Sequence, residues 1–519
     1  MTKKDKCYIL RGTKQIGGFH EQNTKKLCHG LFYLAIFIFL FVWFTKVHAL
    51  VVFDADDWSY LAYVRATTPV WGEWNPAKVF PEVIFPFFST VAAYLVMPLT
   101  HDYITAQTIM HALVVSLSIT GYLWCFSKLL RRCFPVSRLT ASVVTCLFLL
   151  VHFLALRSAD SGNQYLFYCV DLNCYYNYLL PALLNASLVM SLIRNPRMAD
   201  FLESGAPAAR GCFYIVVYFA IFSNLPASGI LAAWAGSVVL LSLNAHGKAK
   251  QWKGILSENG FPLLVLVAWF ISAVFELSGG RAASAGGSTP VYYQLYLACK
   301  YLARILLDLN RLYQLTLALI VVCFCVCALI SRKKGEPLPC PGLGIALIAA
   351  AAFGVYLLML SSAVGPTAIR RSENLFGLFF FVDLCAMLML TALVSRYPRL
   401  MLALPLVTVF LLSGIDTRAD TFLESNFAGV RPAVCADVSR DLIAQLQTAD
   451  ALGRTEVELH VPQYVADPDT EDNWPHSLNL LERLPGTLYA HGLIRHQIHV
   501  TPMADPEMNV RFGLPLPQK

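Results

Sequence analysis

The fold rests on the apolar run LFYLAIFIFLFVWFTKVHALVV (residues 31–52), which leads directly into FDADDWSY (residues 53–60). A helix of about 20 apolar residues is long enough to cross the hydrocarbon core of a bilayer. The run therefore predicts a first membrane-spanning helix at about residues 31–50. No small-residue cleavage site follows it, so we interpret it as a retained signal anchor. The acidic segment lies where this helix leaves the membrane.

The same apolar character extends over all 519 residues, of which 57% are hydrophobic and only 14% charged. A soluble protein carries about a quarter charged residues. The predicted fold class is an all-α polytopic membrane protein in a lipid bilayer, with about 11 transmembrane helices. Beyond the first, they are predicted at residues 103–126, 139–156, 176–193, 211–225, 227–243, 259–277, 309–330, 341–361, 374–394 and 399–414.

Residues 81–99 are also apolar, but Pro81, Pro86 and Pro98 interrupt them. If this stretch spans, the basic loop after the next helix falls outside, and every later basic loop inverts. If it is an interfacial or re-entrant helix, all the basic loops fall inside, as the positive-inside rule requires. We therefore predict the interfacial or re-entrant helix.

Charge distribution gives the domain organisation. The net charge of +7 comes from Lys and Arg gathered in alternate loops, so it indicates membrane orientation and no nucleic-acid partner. Residues 1–30 are predicted to be a cytoplasmic tail and 31–414 a transmembrane domain whose first outward loop is 51–102. Residues 415–519 regain charges; a helix is predicted at 437–452 and strands at 456–461 and 497–501. We predict a small extracytoplasmic α/β domain there.

Three carboxylates, Asp54, Asp56 and Asp57, stand within four residues just past the first helix. They are either solvated loop charges or a reaction centre. A carboxylate can accept a proton from an attacking hydroxyl, and two close together can bind a divalent cation. Crowding also raises the proton affinity of at least one of them.

Aromatic and polar side chains accompany these acids. Trp58 and Tyr60 belong to the same loop as Tyr63, Trp71 and Trp74, and Asn177 and Tyr178 precede a later helix. Such groups suit either the membrane interface or stacking against a sugar. We treat Trp58, Tyr60, Asn177 and Tyr178 as candidate substrate-binding residues.

Arg370 and Arg371 stand in a loop predicted to face outward, against the positive-inside trend. They are either a snorkelling pair at a helix end or a clamp for an anionic head group, because guanidinium matches phosphate oxygens in a forked geometry. Arg281, in the sequence GGRAASAGGS (residues 279–288), whose small residues predict flexibility, is a further candidate for substrate binding, and Lys300 and Arg304 are weaker ones.

Three other groups of residues have either a structural or a functional interpretation. Asp383 lies inside an apolar helix, where an acid either couples protons or makes an interhelical hydrogen bond. His101 and Asp102 are adjacent and could hold a substrate or metal. Cys169 and Cys174 share one loop and could form a disulfide if that loop is extracytoplasmic.

Together these features resemble the GT-C superfamily of membrane glycosyltransferases. The resemblance rests on an inside-to-outside first helix, acids opening the first large outward loop, about a dozen spans and an extracytoplasmic C-terminal part. DDWSY (residues 56–60), NYLLP (residues 177–181) and Arg370-Arg371 are also similar to bacterial serotype-type glucosyltransferases. The resemblance covers most of residues 31–414.

The resemblance implies an inverting transferase in the bacterial inner membrane, with its C-terminal domain in the periplasm. The donor would be a polyprenyl-phosphate sugar and the acceptor a hydroxyl of a glycan such as O-antigen. Asp56 would be the base, with Asp54 or Asp57 as alternates, and Arg370 and Arg371 would hold the phosphate. No nucleotide-binding motif is needed. Metal dependence varies within the superfamily, so a divalent cation stays open.

Two other functions fit the composition. A transporter or flippase of a lipid-linked glycan would use Asp383 and the outward cations without chemistry, and would show repeats or broken helices. A periplasmic-face polysaccharide ligase would use a polyprenyl-diphosphate donor and outward Arg and His residues.

Overall fold

The computed structural model describes residues 27–63, 76–156, 165–169, 171–195, 205–246, 256, 258–277, 290–414, 430–463, 483–514 and 516. These residues are mostly helical. The helices before the C-terminal part are α1 (Leu27–Val47), α2 (Ala55–Tyr60), α3 (Val79–Thr100), α4 (Tyr103–Cys133), α5 (Arg138–Leu154), α6 (Leu172–Arg194), α7 (Pro207–Ile221), α8 (Leu225–His246), α9 (Gly260–Leu277), α10 (Val291–Asp308), α11 (Arg311–Lys333), α12 (Leu343–Val364), α13 (Ser372–Arg396) and α14 (Leu404–Leu412).

Within the described residues, eight helices are long and apolar enough to cross a membrane: α1, α3, α4, α6, α8, α11, α12 and α13. The predicted class, a helical multi-pass membrane protein, is confirmed at this level. Four other predicted spans are shorter apolar helices: Arg138–Leu154, Pro207–Ile221, Gly260–Glu276 and Pro398–Leu412. The count of about 11 spans stays a prediction.

Helix α3 covers the stretch predicted to be interfacial, although its 22 residues are long enough to span. Just before its first residue, the backbone N–H of Lys78 donates to the carbonyl of Phe222 at 2.7 Å. Near its other end, the Tyr94 hydroxyl donates to the carbonyl of Ala490 at 3.1 Å. Both ends are therefore anchored by contacts to other elements.

Hydrogen bonds link the partners of both ends of α3 to the region of residues 53–60. The turn after Phe222 continues to Asn224, whose amide donates to the carbonyl of Asn177 near the start of α6. Ala490 ends the helix of Thr487, whose hydroxyl donates to the carbonyl of Trp58 in α2. Both regions adjoin residues 53–60, which we call the acid loop. That α3 is interfacial or re-entrant stays a prediction.

Helix α13 lies at the centre of the bundle, because 83% of the residues in its most apolar stretch are buried inside the protein. Close approach of its neighbours depends on Gly377. A Cβ atom at this position would lie 2.3 Å from Cζ of Phe353 in α12 and 2.8 Å from Cγ1 of Ile230 in α8. Tightly packed cores do not absorb such an overlap without movement.

We therefore expect Gly377→Ala to destabilise the protein by about 1–3 kcal/mol, the usual cost of overpacking a core. The measurement is the midpoint of thermal unfolding in detergent. Gly354→Ala in α12 is the matched control, since its Cβ would lie 3.6 Å from Cδ1 of Leu378, an ordinary contact. Equal melting of the two variants would contradict this account of α13 packing.

The intramembrane acid Asp383 makes a hydrogen bond between helices, as one of its two interpretations predicted. Its Oδ1 accepts the Tyr313 hydroxyl of α11 at 2.7 Å, and Nδ1 of His152 in α5 lies 3.8 Å from its Oδ2. The Tyr122 hydroxyl of α4 is 3.0 Å from Nε2 of His152. Asp383 thus helps to join helices in the interior.

Residues 430–463 and 483–514, here called the C-terminal segment, contain α15 (Pro432–Ala451), β1 (Glu456–Pro462), α16 (Arg483–Ala490), β2 (His499–Asp505) and α17 (Pro506–Phe512). The two strands pair in parallel, with Glu456 opposite His499. The strand predicted at 456–461 is confirmed, and the helix predicted at 437–452 is present but begins earlier, at Pro432. The second strand begins two residues later than predicted. That this region is a separate periplasmic domain stays a prediction.

Candidate active site

The acid loop contains the short helix α2, whose start is fixed by its own carboxylates. Asp54 precedes the helix, and its side chain accepts the N–H of Asp56 at 2.9 Å. Asp57 accepts the N–H groups of Phe53 and Asp54 at 3.3 Å each. This reciprocal arrangement is a capping box, which satisfies N–H groups that a helix leaves unpaired at its start. The spacing of the acids therefore has a local structural purpose.

Asp57 also joins the acid loop to the start of α6. Its Oδ1 accepts the backbone N–H of Asn173 at 2.7 Å, and its side chain is fully buried. Burial raises the pKa of Asp57, the carboxylates of Asp171 and Asp54 raise it further, and the N–H groups of Asn173 and Phe53 oppose the shift. Three backbone N–H groups hold this carboxylate in place, whereas Asp56 is exposed.

Asp171 is a buried acid that the sequence analysis did not select. It precedes α6, and its Oδ1 accepts the N–H of Cys174 at 2.6 Å. The Cys174 thiol donates to its Oδ2 at 3.3 Å. Burial raises the pKa of Asp171, and the charge of Asp54 adds to this shift. The signal in the sequence was an acid immediately before an apolar helix, the position of a helix cap.

The cationic part of the site is Arg371, between α12 and α13. Its Nε donates to Oε1 of the buried Glu373 at 2.5 Å, and Nη2 donates to Sγ of Cys174 at 3.3 Å. Its guanidinium also lies over the Tyr178 ring, 5.5 Å from the centroid. The side chain retains 42% exposure. Arg371 is therefore oriented by several groups while part of it stays accessible.

The acidic and cationic parts meet at two neighbouring residues. Asn173 contacts Asp57 and Cys174 contacts Arg371. Consecutive Cα atoms are about 3.8 Å apart, so the two contacts adjoin along the chain. The charge of Arg371 also lowers the pKa of Asp171, against the larger effects of burial and of Asp54.

Arg370 and Arg371, predicted as a pair, have different surroundings. Arg370 is exposed and its guanidinium lies 5.8 Å from the ring centroid of Tyr301 in α10. Lys300 and Arg304 belong to the same helix, where Arg304 pairs with Asp308 at 3.6 Å. Of the two predicted arginines, Arg371 is the one in contact with the start of α6.

Of the predicted aromatic and amide residues, some pack in the interior and others lie next to Arg371 and Asn173. Trp58 is 1% exposed and stacks on Tyr103 with ring centroids 6.3 Å apart, so it packs in the interior instead of presenting a sugar platform. Tyr60 is partly buried. Tyr178 lies beneath Arg371, and the Asn177 amide donates to Oδ1 of Asn173 at 2.7 Å. Both belong to a π-helical turn over Tyr175–Leu179, a distortion frequent at functional sites.

Some predicted features lie elsewhere or are corrected. Arg281, Trp71 and Trp74 fall outside the described residues. Cys169 and Cys174 are both free thiols, so the disulfide considered for them is wrong. Among the described residues, no group of three or more His, Cys, Asp or Glu side chains is arranged to hold a metal ion.

Asp102 serves the fold in the turn between α3 and α4. Its Oδ2 accepts the Thr105 N–H at 3.0 Å, which caps α4, and the Arg440 guanidinium at 2.9 Å. His101 precedes it with a φ of 55°, in the left-handed region. Substrate or metal binding by this pair stays a prediction.

We expect Asp57→Ala to destabilise the protein more than Asp57→Asn. The alanine leaves buried N–H groups without an acceptor, at a cost of about 1–3 kcal/mol each, whereas asparagine retains one acceptor oxygen. The measurement is the unfolding midpoint in detergent. Asp56→Asn is the control and should melt like the parent, because Asp56 is exposed. A parent-like midpoint for Asp57→Ala would argue against its structural role.

Comparison with known proteins adds no assignment: no family model, no curated protein and no solved structure matches this chain.

Proposed function

We propose that this protein is a membrane glycosyltransferase that moves a sugar from a polyprenyl-phosphate donor to a hydroxyl of a glycan, such as O-antigen. The observation that carries the proposal is that Arg371 and Asp57, the chain neighbour of Asp56, contact two adjacent residues, Cys174 and Asn173. The exposed Asp56 and the accessible edge of Arg371 supply the two charges that such a transfer needs.

The reaction is an inverting displacement at the anomeric carbon. The acceptor oxygen forms the new bond while the bond from that carbon to the phosphate oxygen breaks, and Asp56 takes the hydroxyl proton. The leaving polyprenyl phosphate gains negative charge, which Arg371 offsets through forked hydrogen bonds. Glu373 and Cys174 orient Arg371 before the donor arrives, so little reorganisation is needed.

The geometry gives less support to the alternatives. A flippase would use Asp383, but that carboxylate accepts a hydrogen bond from Tyr313 in the interior. A polysaccharide ligase would release polyprenyl diphosphate and depend less on an acid in the first outward loop. The identity of the released lipid separates it from the transferase.

The test uses purified protein in lipid vesicles, a panel of labelled polyprenyl-phosphate sugars and lipopolysaccharide acceptor. Transfer of label to the acceptor with release of polyprenyl monophosphate supports the proposal. Label that crosses the vesicle membrane without transfer supports the flippase. Release of diphosphate from a diphosphate donor supports the ligase. Either of the last two results overturns the proposal.

The proposed orientation places the protein in the bacterial inner membrane, with residues 1–30 in the cytoplasm and residues 415–519, as a small α/β domain, in the periplasm. Eleven spans with α3 at the interface account for this arrangement and for the basic loops. We expect a reporter fused after Lys519 to report the periplasm. A cytoplasmic result would mean that α3 spans or that another span is assigned wrongly.

A further inference from the structure

The C-terminal segment contacts both ends of the acid loop. Before the loop, the Ser439 hydroxyl of α15 donates to the carbonyl of Val52 at 2.9 Å. At the end of α2, the Thr487 hydroxyl of α16 donates to the carbonyl of Trp58 at 2.7 Å. Both bonds are buried, and Asp56 lies between the two anchored carbonyls in the chain.

The Thr487 bond supplies a donor to a carbonyl near the end of α2. A helix leaves its last carbonyls without partners, and α2 is only six residues long, so the Trp58 carbonyl depends on an outside donor. A buried carbonyl without a donor is costly, and the usual response is to shift toward water. A shift of this kind would move the backbone that carries Asp56.

The rest of the interface fixes the C-terminal segment to α3 and α4. The Tyr103 hydroxyl and Nδ1 of His491 are hydrogen-bonded at 2.7 Å, in the interior next to Trp58. Arg440 pairs with Asp102 at 2.9 Å on the rim. The segment is therefore held to the bundle independently of the bonds to the acid loop.

We propose that Thr487 and Ser439 are positioning residues, which hold Asp56 at the place where the acceptor hydroxyl must lose its proton. The inference rests on the proposed glycosyltransferase function and adds a role for the C-terminal segment. Both residues act through the backbone of the acid loop without touching substrate. Loss of either bond misplaces the base and leaves the Arg371 side of the site intact.

The experiment compares Thr487→Val, which removes the hydroxyl at nearly constant shape, with Thr487→Ser, which keeps it. Thr448→Val is the matched control, since Thr448 is exposed and its hydroxyl donates to the carbonyl of Ala444 within α15. We expect Thr487→Val to lower kcat by ~10-fold or more, as misplacement of a catalytic group does. The donor KM should be unchanged, and Thr487→Ser and Thr448→Val should act like the parent. Ser439→Ala provides a second, independent loss of an anchor.

A second readout reports loop position without activity. Asp56→Cys is introduced into each variant, and labelling by a membrane-impermeant maleimide is quantified at position 56 by peptide mass spectrometry. We expect Thr487→Val and Ser439→Ala to change the labelling rate several-fold, and Thr487→Ser and Thr448→Val to leave it unchanged. An unchanged rate in both anchor variants overturns the proposal, even if the parent transfers no sugar and the glycosyltransferase function has failed. Parent-like kcat in both anchor variants also overturns it.

Discussion

Asp56→Asn is expected to abolish sugar transfer while leaving the protein folded. The amide keeps the size and most hydrogen bonding of the carboxylate but cannot accept the proton of the acceptor hydroxyl. A positioned general base contributes about 10²–10⁴-fold, so turnover should fall by that factor. The measurement is transfer from polyprenyl-phosphate donor in vesicles, with the unfolding midpoint of the same preparation as the check on folding.

Asp308→Asn is the matched control, because Asp308 is an exposed acid of α10 that pairs with Arg304 in the same helix. It should transfer at the parental rate. Near-parental transfer by Asp56→Asn would remove Asp56 from the mechanism and direct attention to Asp54. Asp57 is the poorer alternate, since three backbone N–H groups already occupy its oxygens.

Replacement of Arg371 is expected to lower turnover by about 10²-fold, the usual effect of removing a donor that stabilises developing negative charge. Arg371→Lys should recover only part of this loss, because lysine keeps the charge and loses the forked geometry. The measurements are turnover and donor binding for each single variant. Arg370→Ala should have the smaller effect, since Arg370 contacts Tyr301 instead of the start of α6.

Arg371→Ala also leaves the buried Glu373 without its cation, which is itself destabilising. The double variant Arg371→Ala with Glu373→Gln separates the two effects, because it removes the unpaired charge and restores folding without restoring transfer. If Arg371→Ala and Arg370→Ala both bind donor and turn over like the parent, the phosphate site must lie at Arg281, Lys300 or Arg304.

Local patterns in the sequence identified most of the long helices and the first strand, but missed the helices α2 and α10. Runs of apolar residues have the length of a membrane span, and alternation over residues 456–461 has the period of a strand, so each identifies its element without reference to distant residues. The first acids also stood out by their spacing. Their spacing could not reveal which acid is exposed and which is buried. The exposure of Asp56 and the burial of Asp57 depend on what packs against α2.

The site itself was assembled by contacts between distant parts of the chain. Asp57 and Asn173 are 116 residues apart, Arg371 and Cys174 are 197 apart, and Thr487 and Trp58 are 429 apart. In the sequence, Asp171 and Glu373 are indistinguishable from other acids at helix starts. In the fold, Asp171 contacts the thiol of Cys174 and Glu373 contacts the guanidinium of Arg371. Trp58 looked like an exposed platform and proved to be packed. Local composition specifies helices, strands and caps, whereas burial and pairing follow from how those elements pack together.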